Sequence, residues 1–289
     1  MRFDGGLEPI WLPLDEPLEQ GRFDLEPVFG FHAAVSAAPL VLLRSWSTEA
    51  RFQQALARTV GPVRPIVSIG PPVHPDLAGY PTTMADWVDH YVALLDRIGL
   101  ERIGVLGGWS FGGAIALEVA RVLGERGVDV PRLLLIDSRR PAGDPSRRPR
   151  SLTGLYRKLM IRPRAWRRAL AARMSGADAP AEADLPPPET LPPGQALIRA
   201  SSGYTISCLS HAVQSAFVRC EPSPFDRPVH LFSTQFALRY YPGDVALGWR
   251  PWLTGAFDAQ AISGGHWSMF EEPHLRELAD RTREVLTLD

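Results

Sequence analysis

The sequence is poor in cysteine and in net charge, and it has no long apolar run. Cys208 and Cys220 are its only cysteines, which is too few for a disulfide scaffold or a cysteine-rich metal cage. A formal net charge of −1 over 289 residues provides no overall field that would attract nucleic acid. No apolar stretch reaches the length of a membrane-spanning helix. These absences favour a globular protein without structural metals or disulfides.

The amino-terminal residues also lack the features of a targeting segment. Residues 1–6 read Met-Arg-Phe-Asp-Gly-Gly, without a basic start followed by an apolar core. We therefore expect no signal peptide and a cytoplasmic protein. A length of 289 residues suits one α/β domain with a large core.

What the sequence does contain is a glycine-flanked serine between an apolar run and a helical pattern. Residues 108–112 read Gly-Trp-Ser-Phe-Gly, after the apolar run 103–106 and before the helical pattern 114–123. Strand, tight turn and helix in this order expose a serine at the turn. The glycines let the backbone bend without a Cβ clash, and the first amides of the helix can bind negative charge. The pattern predicts that Ser110 is a nucleophile for acyl transfer.

A serine nucleophile needs a base, and the base needs an acid that orients it. Asp137 directly follows the apolar run 133–136, at the carboxyl end of a predicted parallel strand, where open α/β sheets bind ligands. Of the seven histidines, His266 lies in a glycine-flanked loop between the apolar segment 259–262 and the last helical pattern. The order serine, aspartate, histidine is that of enzymes with a nucleophile elbow. We therefore predict a triad of Ser110, Asp137 and His266.

Short apolar runs alternate with helical patterns along most of the chain. We predict an early edge strand at 10–14 and buried strands at 28–32, 66–69, 133–136, 229–232 and 259–262. Helical spacing predicts helices at 41–60, 83–98, 114–123 and 273–286, and Thr83 with Asp86 resembles a capping box. This alternation predicts an α/β fold with a mostly parallel sheet that helices cover on both faces.

The segment 139–226 interrupts this alternation. It is too long for a simple connection, so we predict an insertion with helices of its own and a proline-rich linker at 179–193. The stretch 139–173 is rich in arginine and contains one acid, Asp144. Such a stripe could bind RNA, phospholipid or an acidic protein, or be a solvated face. No aromatic-basic module accompanies it, which argues against nucleic acid.

These motifs together resemble one known family. The Gly-Trp-Ser-Phe-Gly-Gly elbow, the Leu-Leu-Leu-Ile-Asp-Ser strand end and the late Gly-Gly-His are similar to those of the type I thioesterases of nonribosomal peptide and polyketide synthases, over about residues 27–286. Trp249 and Met269 also fit the family pattern. The position of Asp137 favours the chain-releasing enzymes, because the stand-alone editing thioesterases usually carry the acid one strand later. The resemblance implies the α/β-hydrolase fold over residues 1–289, with 139–226 inserted as a helical lid.

The resemblance also implies where the reaction's oxyanion would be held. The family's first strand usually ends in a segment like His-Pro-Ala-Gly-Gly. Residues 31–36 here read Phe-His-Ala-Ala-Val-Ser, so the histidine is kept and the proline and glycines are gone. By position, we expect the backbone amides of Ala33 and Phe111 to form the oxyanion hole, because backbone donors do not depend on side-chain identity.

The activity that the resemblance implies is the release of an acyl chain from a carrier-protein phosphopantetheine thioester, by hydrolysis or cyclisation through an acyl-serine. It implies no cofactor of the enzyme's own and no membrane partner. The expected partner is an acidic acyl or peptidyl carrier protein, docking at Arg147, Arg148 and Arg150. A small-molecule esterase or lipase, and a catalytically silent binding protein, remain alternatives on the same fold. Both a discrete enzyme and the excised end of a synthase fit the sequence.

Overall fold

The described residues comprise the core of the fold and little of the predicted insertion. The computed structural model describes residues 6–15, 18, 26–45, 50–72, 81–140, 216, 220, 223–239 and 241–288. Nearly all of the predicted lid, 139–226, lies outside the described residues, and so do Arg147, Arg148 and Arg150. The described part of the chain therefore consists mainly of the sheet, the helices that cover it and the loops at its edges.

One eight-stranded sheet forms the centre of the fold. Its strands are β1 (Ile10–Trp11), β2 (Val28–Phe31), β3 (Leu40–Leu43), β4 (Ile66–Ile69), β5 (Val105–Trp109), β6 (Leu133–Ile136), β7 (Val229–Thr234) and β8 (Phe257–Ile262). They lie in the order β1-β2-β4-β3-β5-β6-β7-β8. The strands from β3 to β8 run parallel, whereas β1 and β2 run the other way, since β2 pairs with β4 in antiparallel register. The prediction of a mostly parallel sheet is confirmed.

Helices cover both faces of the sheet, which explains why its central strands are apolar without alternation. The helices are α1 (Ala50–Val60), α2 (Met84–Ile98), α3 (Phe111–Glu125), the single-turn α4 (Gln235–Leu238) and α5 (His274–Thr287). Buried residues of α2 and α3 form one core layer, and those of α1 and α5 form the other. The predicted start of α2 is confirmed, because the hydroxyl of Thr83 accepts a hydrogen bond from the amide of Asp86. No described helix is both long and apolar enough to cross a bilayer.

The prediction of one helix at 41–60 is wrong. Leu40–Leu43 form β3, which lies between β4 and β5, and a helix is present only over Ala50–Val60. A short apolar run fits either a buried strand or part of a buried helix, and here pairing on both sides decides for the strand. Arg44 and Ser45, the described residues after β3, consequently lie at the carboxyl edge of the parallel strands.

Candidate active site

Ser110 lies at the turn between β5 and α3, in a backbone conformation that is rare for a residue with a side chain. Its φ is 56° and its ψ is −120°. Its amide donates to the carbonyl of Ile136 at 2.9 Å, which ties the turn to β6. Because such a conformation costs on the order of 1–3 kcal/mol, the surrounding structure has to enforce it. The turn directs Ser110 into a cavity at the carboxyl edge of the sheet.

Two glycines of the motif are required by close approaches of the backbone. A Cβ on Gly108 would lie 2.4 Å from the carbonyl carbon of Gly112. A Cβ on Gly112 would lie 2.2 Å from the carbonyl oxygen of Leu43. A side chain at either position would open the turn or push it away from β3, so the motif specifies the elbow by steric exclusion.

Asp137 directly follows β6, and hydrogen bonds fix both its backbone and its carboxylate. Its φ is 45°, and its amide donates to the carbonyl of Phe232 at 2.7 Å. Its carboxylate is buried, and Oδ1 accepts from the amide and the hydroxyl of Thr234 at 2.8 and 2.9 Å. The indole of Trp249 donates to the carbonyl of Ser138 at 2.7 Å and fixes the next residue of the chain. These bonds aim Oδ2 at the loop after β8.

His266 lies in that loop and binds the second oxygen of the carboxylate. Nδ1 of His266 is 2.6 Å from Oδ2 of Asp137, a distance typical of a charge-assisted hydrogen bond. A carboxylate can only accept, so the proton of the neutral ring stays on Nδ1, and Nε2 keeps its lone pair. Asp137 therefore selects the tautomer in which Nε2 can accept a proton.

The loop that carries His266 is anchored to α5 behind it. The amide of Ser263 donates to Glu277 Oε2 at 2.9 Å, and the hydroxyl of Ser263 is hydrogen-bonded to His274 Nδ1 at 2.9 Å. The hydroxyl and amide of Ser263 hold the pKa of Glu277 below the usual range of a glutamate. Gly264 comes next with a φ of 86°, and a Cβ there would approach the ring of His274 to 2.9 Å. The loop is thus fixed to α5 at Ser263 and turns towards the cavity at Gly264.

Aromatic rings pack around the imidazole. The ring centroid of Trp109 lies 4.7 Å from that of His266, with 33° between the planes, and Trp267 stands edge-on to both rings. Phe52 and Phe270 pack edge-on against Trp109 from the core. Trp109 is buried, whereas half of Trp267 is exposed. The imidazole is therefore held between a fixed indole and the carboxylate of Asp137.

Ser110, Asp137 and His266 line one cavity of about 670 Å³, a size typical of small-molecule sites. The three residues of the predicted triad are thus brought together. Among the other lining residues, Arg139 is the charged one. Most of the rest are apolar or aromatic: Phe236, Ala237, Tyr241, Leu247 and Trp267. The described residues contain no group of three histidine, cysteine, aspartate or glutamate side chains that could hold a metal ion.

Sequence reasoning missed two residues of this site. Thr234 ends β7, the strand beside β6, and a polar residue at a strand's carboxyl end was the available signal. Trp109 lies inside the elbow motif, but only the folded chain brings its ring against His266. Both residues act on the orientation of other side chains, which no local pattern reveals.

The expectation that Ala33 helps to hold an oxyanion is wrong. Ala33 lies after β2, which is antiparallel to β4, and Phe31 pairs with Ile66, the first residue of β4. Ala33 therefore lies at the amino edge of the parallel strands, whereas Ser110 lies beyond their carboxyl edge. At about 3.3 Å per residue, a strand of four residues separates these edges by about 13 Å. The imidazole of His32 donates to the carbonyl of Ala57 in α1 instead.

Two backbone segments do meet at the elbow. Phe111 is the first residue of α3, where amides have no carbonyl partner within the helix. The start of the loop after β3 approaches from the other side. The amide nitrogen of Ser45 in that loop is 3.7 Å from the position of a Cβ on Gly112. The loop 44–49 thus begins beside the turn that carries Ser110.

Comparison with known proteins agrees with this architecture. The family model described as "Thioesterase domain" matches residues 50–285. Chondramide synthase cmdD of Chondromyces crocatus is 25% identical over 280 residues, covering 86% of this chain and 6% of the synthase. Orsellinic acid synthase of Beauveria bassiana is 56% identical over 39 residues, covering 14% of this chain and 2% of the synthase. The chain thus spans only a small part of the length of these multidomain relatives.

Several solved structures share the fold. The NocB thioesterase domain from the nocardicin cluster has a TM-score of 0.55 at 24% identity, covering 90% of this chain and 98% of that one. SrfTE, described for the cyclization of the lipopeptide antibiotic surfactin, has a TM-score of 0.56 at 18% identity, covering 92% and 98%. RedJ, from the prodiginine pathway of Streptomyces coelicolor, has a TM-score of 0.55 at 22% identity, covering 87% and 91%. With the family model matching most of its length, the chain belongs to the thioesterase domain family of serine hydrolases, on the α/β-hydrolase fold.

Proposed function

We propose that this chain releases an acyl or peptidyl chain from the phosphopantetheine thioester of a carrier protein, through an acyl-Ser110 intermediate. The observation that carries the proposal is the convergence of Ser110, Asp137 and His266 on one largely apolar cavity in a thioesterase. That its curated relatives are peptide and polyketide synthases supports a carrier-bound substrate.

Acylation begins when Ser110 Oγ attacks the thioester carbonyl carbon and its proton moves to His266 Nε2. Asp137, hydrogen-bonded to Nδ1 at 2.6 Å, stabilises the imidazolium and keeps the ring in place. The carbonyl π electrons move to the oxygen and give a tetrahedral oxyanion. When the oxyanion collapses, the C–S bond breaks, and the pantetheine thiolate leaves with the proton from His266.

Deacylation repeats these steps with a second nucleophile. Water gives a free acid, whereas an alcohol or amine of the bound chain gives a ring. His266 takes the proton of that nucleophile and returns it to Ser110 Oγ as the ester bond breaks. The apolar walls around Phe236, Tyr241 and Leu247 bind the acyl chain, so their shape decides which nucleophile reaches the ester.

Two backbone amides hold the oxyanion in this mechanism. The first is the amide of Phe111, and the second is the amide of Ser45, which follows β3 and lies next to the elbow. Enzymes with a nucleophile elbow use the amide after the nucleophile and one from the loop after the third strand. This assignment replaces Ala33, which lies at the opposite edge of the sheet.

The proposal includes a single domain in which 139–226 forms a lid, and a docking site for an acidic carrier protein at Arg147, Arg148 and Arg150. The point where the segment leaves the core supports the lid, because Arg139 lines the cavity two residues after Asp137. The arginine-rich composition of the segment supports the docking site. The chemistry requires no cofactor, since the triad supplies nucleophile, base and acid.

The test compares wild type with Ser110→Ala on a carrier protein that is loaded with an acyl chain. We expect the wild type to release the chain and to show the acyl mass on the peptide containing Ser110. Triad members act as a unit, so Ser110→Ala should lose about 10⁴–10⁶ in kcat. Release at the wild-type rate by Ser110→Ala would overturn the mechanism.

Comparing the carrier-bound thioester with a soluble ester of the same acyl chain distinguishes this function from that of a small-molecule esterase. We expect kcat/KM to be higher for the carrier-bound thioester than for the ester. The reverse preference would identify a small-molecule esterase. Failure of a fluorophosphonate to label Ser110 would identify a catalytically silent binding protein.

A further inference from the structure

One face of α2 contacts both backbone segments to which we assign the oxyanion donors. Trp87 and Tyr91 lie one helical turn apart on that face, and both are completely buried. Their rings stack, with centroids 6.3 Å apart and 19° between the planes. The described lining of the cavity includes neither residue, so any effect on catalysis has to pass through the segments that they touch.

The hydroxyl of Tyr91 donates a hydrogen bond to the carbonyl oxygen of Arg44, the first residue of the loop after β3. Arg44 is also held at two other points. Its amide donates to the carbonyl of Ile69 at 2.9 Å, and its buried guanidinium donates to the carbonyl of Glu26. These two bonds fix the preceding peptide group and the side chain of Arg44, whereas the bond from Tyr91 holds the peptide group between Arg44 and Ser45.

The bond to Tyr91 determines where the next amide points. A trans peptide group is planar, and its C=O and N–H point in opposite directions. Because the carbonyl of Arg44 faces Tyr91 in α2, the amide of Ser45 faces away from α2. The nitrogen of Ser45 is also 3.7 Å from the Cβ position of Gly112 in the elbow. The hydroxyl of Tyr91 thus contributes to the direction of the Ser45 amide.

Trp87 contacts the other donor residue. Its ring meets the ring of Phe111 edge to face, with centroids 5.5 Å apart and 90° between the planes. Its own indole N–H donates to the carbonyl of Pro81 at 3.1 Å, which fixes the ring. The same face of α2 thus contacts the first turn of α3 through Trp87 and the chain after β3 through Tyr91.

We propose that Tyr91 is a positioning residue for the oxyanion hole: its hydroxyl, bonded to the Arg44 carbonyl, orients the amide of Ser45. This inference rests on the proposed function, since the oxyanion donors are assigned there. Without the hydroxyl, the Arg44–Ser45 peptide group can rotate, and the second donor loses its alignment. The oxyanion forms only on the way through the transition state, so the loss falls on kcat rather than on substrate binding.

The variant Tyr91→Phe tests this directly, because it removes one hydroxyl and keeps the ring. Loss of a whole oxyanion donor costs about 10²–10³ in kcat, so misalignment should cost about 10- to 100-fold on a soluble acyl thioester. KM should stay within about 2-fold of the wild type. A kcat within about 2-fold of the wild type, or a change confined to KM, would overturn the inference.

Thr282→Val is the matched control for general destabilisation. The hydroxyl of Thr282 is also buried and donates to a carbonyl, that of Leu278 at 2.7 Å, but it lies in α5 on the other face of the sheet. We expect both variants to lower Tm, and only Tyr91→Phe to lower kcat when activity is assayed well below both Tm values. An equal loss of kcat in both variants would show that stability alone is responsible, and the inference would fail.

A measurement on the wild-type protein covers the case in which Tyr91→Phe does not fold. In a crystal structure of wild type phosphonylated at Ser110, the phosphonyl oxygen stands for the oxyanion. It should lie about 3 Å from the amides of Phe111 and Ser45. A phosphonyl oxygen that faces elsewhere overturns the inference. Ser110→Ala is assayed beside these variants: if it is active, the proposed function itself fails, and if it is inactive while Tyr91→Phe is normal, only this inference fails.

Discussion

At the scale of single residues, the carboxylate of Asp137 differs from the other acids near the sheet because both its oxygens are engaged within the site. Thr234 binds one oxygen and His266 the other. Asp244 instead accepts from amides in its own turn, and Asp258 is half exposed on the last strand. Burial and aim therefore single out Asp137 as the acid that orients the base.

Asp137→Asn should separate orientation from the remaining chemistry. The amide of asparagine can present a donor to Nδ1 of His266, which stabilises the wrong tautomer, and kcat should fall about 10⁴-fold as in other serine triads. Thr234→Val removes only one of the two bonds to Oδ1, so we expect a milder loss of about 3- to 10-fold. Steady-state kinetics on one thioester measure both. Near-normal activity in Asp137→Asn would mean that the acid lies elsewhere.

The backbone strain at Ser110 leads to a second prediction, on stability. Its φ of 56° and ψ of −120° suit glycine better than any residue with a Cβ. Ser110→Gly and Ser110→Ala should both be inactive, but Ser110→Gly should be more stable by about 1 kcal/mol, because only glycine relieves the strain. Thermal unfolding of the two variants measures this difference. Equal Tm values, or a more stable alanine variant, would show that the elbow stores no strain.

The convergence of Ser110, Asp137 and His266 on one cavity was predictable from the sequence because each lies after an apolar run that ends at the same sheet edge. Ser110 was further marked by glycines that the close backbone approaches require. The roles of Thr234 and Trp109 were not predictable, since each depends on a contact between strands that are distant in the sequence. Local patterns thus identify the reacting groups, and tertiary packing determines which residues orient them.

At the scale of elements, the loop after β8 depends on its attachment to α5. The hydroxyl and the amide of Ser263 both favour the ionised carboxylate of Glu277, so its pKa lies below the usual glutamate range. A depressed pKa in the folded state means that the stabilisation is complete above the pKa of an unfolded glutamate, about 4.3. The stabilisation is then lost as the pH falls through the lower folded value.

Glu277→Gln should therefore lower Tm at neutral pH and flatten its dependence on pH below about 5. Glu284→Gln is the control, because it removes the same charge from the same helix but breaks only an exposed ion pair with Arg281, which contributes little. Thermal unfolding between neutral pH and pH 3 measures both variants against the wild type. Identical pH profiles for Glu277→Gln and the wild type would contradict the anchoring role.

The element that sequence reasoning missed is β3, and its omission misplaced the oxyanion loop. Residues 40–43 are all apolar, so their pattern fits a buried helix as well as a strand, and pairing with β4 and β5 settles it only in the folded chain. Without β3, the sequence pattern assigns the loop after β2 to the active edge. Strand direction, which the sequence does not state, puts Ala33 at the opposite edge.

At the scale of the whole molecule, the two edges of the sheet differ in their contacts and in their roles. The cavity lies at the carboxyl edge, whereas arginines at the amino edge donate to backbone carbonyls and join distant elements. Arg64 binds the carbonyls of Leu286 and Ala38, at 2.6 and 3.1 Å, and so ties α5 to the segment before β3. Charged side chains at the amino edge thus stabilise the fold, whereas the cavity of Ser110 lies at the opposite edge.

Carrier delivery should depend on the positive charge of the predicted lid. Three arginines of the predicted lid should attract an acidic carrier protein over about 8 Å at physiological ionic strength. The variant replaces Arg147, Arg148 and Arg150 with serine. It should raise the apparent KM for a carrier-bound acyl chain and leave the rate on a small soluble thioester unchanged, since the triad is untouched. A control triple variant removes the same charge from exposed arginines at the amino edge: Arg97, Arg126 and Arg227.

Salt distinguishes docking from a structural role of the lid. Added salt should weaken the wild type and the amino-edge control on the carrier substrate, and should affect the lid variant less, because the attraction that salt screens is already gone. An equal effect of the lid substitutions on both substrates would mean that the arginines maintain the cavity itself. No effect on either substrate, or an equal effect from the amino-edge control, would mean that the carrier docks elsewhere and that the arginine stripe is a solvated surface.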